Sequence, residues 1–380
     1  MIPQYKKQDG KAAVLLFFSL FLTFGAALPH ARLLTAAALF GTLGVFLWER
    51  GRVFEEKIPT NAKLYLLFWC FSLSGAVHSL AREATLLAAL LRLSYFLPLL
   101  LGERRRWLCT CLSLLGGGLG VLAVLLLVTG RGASGTVDES RFGTLLRADA
   151  VFGNPNVLAA FLLFGTVLSL VLCLFGDGRR WAYFLSFLSG SLGVLATFCR
   201  GAMLALLLAV LLLLLWKFGV RRVLSLLLAA IPALLLFLPT DVLTRLLSVM
   251  HPDSSVSYRF SLWRSLFRLP PRALLLGVGE GKDAMHALLF PVLAAGLSHV
   301  EHMHSLFLGL LVSTGVFGLA LFLLTVLHAL FRGGTFAAPL LALLLFGLFD
   351  TPLYNPQTEV IFWLSLGLCA ENRASLPSLR

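Results

Sequence analysis

Apolar residues run through this chain in long unbroken stretches, not in the alternation of a half-buried strand or the stripe of a surface helix. Such stretches fall at about 12–28, 31–48, 62–81, 84–101, 107–128, 157–175, 181–198, 201–216, 223–238, 304–330, 336–350 and 358–371. Most approach or exceed the roughly 17–25 residues an α-helix needs to cross a bilayer. Helices that satisfy their own backbone polar groups are what such leucine-rich segments can form in lipid. The pattern therefore predicts an all-α polytopic membrane bundle of about twelve transmembrane helices. The first stretch, behind Lys6, Lys7 and Lys11, also has the outline of a signal peptide; cleavage would leave an odd number of spans, so it is read as retained.

No internal repeat or low-complexity linker divides the chain, and residues 1–380 read as a single integral membrane domain. Two connections are too long to be turns: 129–156 and 239–303. Within the second, SVSYRFSLWRSLFRLPP predicts a short amphipathic helix stopped by Pro-Pro, and GVGEG a turn. The segment 239–303 is thus expected to be a long, partly helical extracytoplasmic loop. Function is expected there, because long loops in compact architectures commonly serve binding or chemistry.

Composition reinforces this picture. With 59% hydrophobic residues, 13% charged and a mean hydropathy of +0.91, the chain lies outside the soluble range. The net charge of +13 does not point to nucleic acid. The basic residues sit in short connections such as Arg104 to Arg106, Arg179 with Arg180, and Arg221 with Arg222, the distribution that orients membrane proteins with their positive loops inside. Counting the short loops places both termini in the cytoplasm. The six cysteines lie within or beside apolar spans and offer no disulfide framework.

Chemistry gathers near HVEHMHSLFLGLLVSTGVFG, residues 299–318. If helical, His299 and His302 share a face and His304 points elsewhere. The spacing lacks the logic of a zinc helix, and no Asp-x-Asp pair or Cys-His cluster on the outer side supplies further ligands, so no metal is expected. His299 and His302 read as interface decoration. Asn156 of FGNPN reads as a helix cap. Arg92 is an intramembrane charge and so a functional candidate by default, with snorkelling or pairing inside the bundle as the alternative. Asp350 of FDTPLYNP either orients a histidine or starts a turn.

His304-Ser305, then nine residues, then Gly315 and Gly318 resembles the signature of the O-antigen ligase superfamily. That superfamily embraces O-antigen ligases, polysaccharide polymerases and bacterial O-oligosaccharyltransferases. VFGNPNVLAAFLL at 151–163, TFCRGAMLALLL at 197–208, and Arg259 with Trp263 leading to PRALLLGVGEG resemble the same family, in the same order. The resemblance implies a fold like that of the C-type glycosyltransferases. It also implies an enzyme that moves a glycan from a polyprenyl diphosphate to an acceptor hydroxyl on the outer face of the bacterial cytoplasmic membrane, without metal or cofactor. The physical requirements agree. A diphosphate is best held by guanidinium forks, the role the resemblance implies for Arg200 and Arg259. The acceptor must lose a proton near neutral pH, which suits an imidazole, and the resemblance implies that this is His304. Arg147, Asn156 and Asp350 are possible supporting residues.

The acceptor, whether lipid, glycan or protein, is not legible in the sequence, so ligase, repeat-unit polymerase and protein O-oligosaccharyltransferase stay open. A lipid or solute transporter is the alternative from another class. It predicts ionisable residues near the midplane in two matching halves, whereas here Arg92 stands out among the spans and polar groups collect at one face. The loop signatures of the peptidoglycan polymerases of the shape, elongation, division and sporulation type are not found.

Overall fold

The computed structural model describes residues 35–37, 39–41, 59–79, 81–96, 99, 105–131, 133, 134, 146–176, 178–237, 254–289, 291, 300 and 302–369. The described helices are α1 (Thr60–Ser74), α2 (Arg82–Arg92), α3 (Arg105–Val128), α4 (Pro155–Phe175), α5 (Arg180–Ala196), α6 (Arg200–Phe218) and α7 (Val220–Phe237). They continue with α8 (Ser254–Ser265), α9 (Pro271–Leu276), α10 (Lys282–Leu289), α11 (Leu306–Arg332), α12 (Ala337–Gly347) and α13 (Pro356–Leu368). A two-residue antiparallel pair, β1 (Ala133–Ser134) and β2 (Arg147–Ala148), interrupts the connection from α3 to α4. This is a helical protein. Four of its described helical stretches are long and apolar enough to cross a membrane: Leu108–Val128, Pro155–Phe175, Arg200–Phe218 and Leu306–Arg332. The expected spans at 12–28 and 31–48, His299 and both termini fall wholly or mainly outside the described residues. The helix expected before Pro-Pro is α8, followed by a 3-10 turn over Leu266–Arg268, but its apolar residues are not gathered on one face as expected.

The chain divides into two compact units. The first comprises Met1–Leu108, Phe260–Ala337 and Gly347–Arg380; the second comprises Cys109–Arg259 and Ala338–Phe346. The second unit is built on α4, which is buried at Pro155 and from Val157 to Val171. Asn154 caps it, its side chain accepting from the Asn156 backbone N–H at 2.9 Å, with Pro155 in the first turn, where a missing N–H costs nothing. The cap is therefore Asn154 and not, as expected, Asn156: the asparagine side chain just outside the helix is the one that reaches the orphan donor. Small residues let α3 and α5 approach α4 closely. A Cβ on Gly116 would lie 2.9 Å from the Gly165 Cα, closer than real Cβ atoms come. Where backbones meet this closely, hydroxyls bridge them: Ser113 and Ser169 Oγ are 2.7 Å apart, and Ser186 donates to the Ser113 carbonyl at 2.7 Å. Van der Waals contact and such hydrogen bonds are the main forces left between helices in lipid.

The first unit has an aromatic centre. Tyr65 and Phe68 of α1, Phe322 of α11, and Phe362 and Trp363 of α13 pack with centroids 4.6–6.3 Å apart. α13 is buried from Pro356 to Leu368. α11 is broken in the middle: Gly315 has φ +69° and ψ −176°. The gap in its hydrogen-bond ladder is filled by the GVGEG turn. Val278 and Gly279 donate to the carbonyls of Val312 and Ser313, both at 3.0 Å. A side chain at Gly315 would collide with the Leu275 carbonyl. The first glycine of the His-Ser-x9-Gly-x2-Gly pattern is thus required both by its left-handed φ and by the approach of this turn.

Candidate functional site

In the first unit α11 starts at Leu306, with Ser305 as an extended cap, so His302 and His304 precede the helix. The helical spacing that would separate them does not apply. Instead their rings lie 4.0 Å apart, and His302 sits 4.3 Å from the Tyr354 ring. His304 has φ +48°, a left-handed conformation that a histidine adopts at some cost. Trp263 of α8 donates from its indole nitrogen to the Met303 carbonyl at 2.8 Å, fixing the segment between the two histidines. Asp350 approaches from the turn after α12: its Oδ1 is 3.9 Å from both His302 Nε2 and His304 Nδ1, and it accepts from the Thr351 N–H at 2.8 Å. Of the two readings of Asp350, the carboxylate facing the histidines and the start of a turn, the structure contains both.

Beside these groups lies a cavity of about 90 Å³, lined among others by His302, Tyr354, Lys282, Arg92, Glu280 and Glu359. That is room for several waters. Arg92 is ion-paired here, with Nη1 to Glu280 and Nε to Glu359 at 2.8 Å. Ser72 also donates to Glu280, and Tyr65 donates to the Arg92 carbonyl. Of the alternatives for Arg92, pairing inside the bundle is the observed one. Glu280 and Glu359, 2% and 5% exposed, were missed by the sequence reading. Glu280 was hidden in a turn motif and Glu359 in an apolar run; the available signal was a lone acid within each stretch, facing the need of Arg92 for a counter-ion.

In the second unit Arg147, on β2, donates from Nη2 to Asn156 Oδ1 at 2.8 Å and from Nε to the Thr197 carbonyl at 2.9 Å. Two of the expected supporting residues are therefore bonded to each other and to the turn that leads into α6. Arg200 is the first residue of α6, behind Phe198 with φ +49°, and the FGNPN segment follows Ala150 with φ +45°. Among the described residues, the three non-glycine residues with positive φ are Ala150, Phe198 and His304. Each stands at or beside one of the stretches singled out by sequence, as expected if strain concentrates where geometry is imposed for function. Arg259 lies on α8 one turn before Trp263, and its Nε is buried with no hydrogen-bond partner among the described residues. A guanidinium N–H so placed suits an anionic oxygen.

No curated protein matches the chain. A family model described as O-antigen ligase matches residues 184–323, an interval that includes Arg200, Arg259, His304 and both motif glycines. Over that interval the chain is similar to the O-antigen ligase family.

Proposed function

We propose that this protein transfers a glycan from a polyprenyl-diphosphate carrier to an acceptor hydroxyl at the outer face of the bacterial cytoplasmic membrane. The observation that carries the reading is the setting of His304. It lies in the family-matched interval, in a left-handed backbone ahead of the broken helix α11, with its Nδ1 3.9 Å from Asp350. His304 takes the proton of the acceptor hydroxyl as that oxygen attacks the anomeric carbon. The bond from that carbon to the diphosphate breaks, and the lipid diphosphate leaves with the electron pair. Asp350 orients the imidazole and favours the imidazolium that forms.

Arg200 and Arg259 hold the diphosphate and stabilise its developing charge. The buried Nε of Arg259 supports this role. Arg147 and Asn156, through the Thr197 carbonyl, brace the turn that presents Arg200. In this reading the chain is a bundle of about twelve spans resembling the C-type glycosyltransferases, with 239–303 and His304 outside and both termini in the cytoplasm. Its partners are the lipid-linked donor, an acceptor and membrane lipid, and its transfer chemistry needs neither metal nor cofactor. The acceptor distinguishes ligase, polymerase and protein O-oligosaccharyltransferase.

The buried Arg92, Glu280 and Glu359 cluster is the one observation favouring a transporter. Its pairing of α2 with α13 and the glycine turn accounts for it as a fastening. The test is the initial rate of glycan transfer from a polyprenyl-diphosphate donor by the reconstituted protein. A His304→Ala variant is expected to lose about 10²–10⁴-fold, the usual contribution of a positioned base. A variant running at the wild-type rate would remove the assignment.

A further inference from the structure

We propose that His302 Nε2, His304 Nδ1 and Asp350 Oδ1 form a binding site for one divalent transition-metal ion of the zinc class. Two imidazole nitrogens converge on the same carboxylate oxygen at 3.9 Å each, and the three ligand atoms lie within 4.8 Å of one another. Metal–ligand bonds of about 2.0–2.2 Å require ligand atoms roughly 3.4 Å apart in a tetrahedron. Closing around an ion therefore takes about half an ångström for each histidine–aspartate pair and at most about 1.4 Å for the histidine pair, within reach of side-chain rotations.

The ligands are also held from behind. The Thr351 N–H fixes Asp350, the Tyr354 ring backs His302, and the Trp263 indole pins the Met303 carbonyl between the two histidines. Outer groups of this kind are what set ligand orientation in metal sites. His302 and Thr351 both line the adjoining cavity, which leaves room for water as a further ligand. The cations lining that cavity, Arg92 and Lys282, are matched by the carboxylates of Glu280 and Glu359, so its charge does not repel a dication. Two imidazoles with one carboxylate suit zinc, cobalt or nickel, whereas magnesium and calcium prefer all-oxygen shells.

A metal held here occupies the nitrogen of His304 and brings Asp350 away from its role beside the imidazole, so zinc inhibits transfer. That consequence, unlike the site, rests on reading His304 as the base.

The test is titration of the purified full chain in detergent with cobalt(II) alone, followed by its visible absorption, and with zinc by calorimetry. The wild type is expected to bind one equivalent. Asp350→Asn and His302→Ala are expected to bind at least about 100-fold more weakly, since loss of an outer-shell partner alone costs about 10–100-fold. Millimolar magnesium is expected not to compete. Because a variant can fail to fold, X-ray absorption of the zinc-loaded wild type provides a second reading: two imidazoles and no sulfur. No binding by the folded wild type, or a sulfur shell from the free cysteines, overturns the site. Stoichiometric binding that leaves transfer unaffected upholds the site and counts instead against His304 as base.

Discussion

Arg92 shows what a single charge demands in an apolar setting. Its guanidinium is tied to Glu280 and Glu359 at once, and both glutamates are buried. Removing one partner of a buried cluster leaves the others uncompensated, at a typical cost of about 3–5 kcal/mol. Arg92→Ala is therefore expected to lower stability by about that amount, measured by thermal denaturation in detergent. A variant as stable as wild type would mean the cluster is not a fastening. The same demand for counter-charge, placed on a ligand, gives the expectation for the two motif arginines. Arg200→Ala and Arg259→Ala are each expected to weaken binding of the lipid-diphosphate donor about 10–100-fold, corresponding to a charged hydrogen bond of about 1.5–3 kcal/mol. Lysine at either position should restore only part of it, because an ammonium lacks the planar fork. Donor titration of the variants provides the check.

At the scale of elements, α11 and the GVGEG turn form one device. The helix opens at Gly315 so that Val278 and Gly279 can bond to its freed carbonyls, and Glu280, next in the turn, reaches Arg92. Gly315→Ala is expected to destabilise the protein and lower transfer at least tenfold, since the new Cβ meets the Leu275 carbonyl in a backbone that disfavours it. Gly309→Ala, on the same helix with nothing within 4 Å of the added carbon, should leave both unchanged. Thermal denaturation and transfer rate of the two variants decide the matter.

Sequence carried much of this and missed a definable part. Helices α1 to α7 and α11 to α13 fall close to the apolar stretches, four of them long and apolar enough to cross a membrane, whereas α8 to α10 lie in the expected loop 239–303. His304 and Gly315 stood out through their spacing. What could not be read was which distant residue completes each group. Asp350 lies more than forty positions from the histidines it faces, and Glu359 is 267 positions from Arg92. The cap shifted from Asn156 to Asn154 because both neighbours of Pro155 carry the same side chain, and backbone geometry alone chooses between them. His302 reads from sequence as interface decoration because an imidazole is amphipathic, and nothing in the spacing shows that it meets His304 and Asp350 ahead of the helix.

At the scale of the molecule, the account requires that the polar ends bearing His304 and Arg200 face outward while the basic short loops face the cytoplasm. Cysteines introduced one at a time into a cysteine-free background, near Ser305 and near Arg221, test this with a membrane-impermeant thiol reagent on intact cells. Labelling is expected near Ser305 and not near Arg221; the reverse pattern would invert the topology and remove the outer-face reaction.

The most direct measurement of the central claim, that an imidazole at position 304 takes the acceptor's proton, is chemical rescue. Transfer by reconstituted His304→Ala is followed with and without added imidazole, using a polyprenyl-diphosphate-linked glycan as donor. The account predicts a rate about 10²–10⁴-fold below wild type that rises with imidazole concentration. Wild-type turnover without imidazole would contradict it.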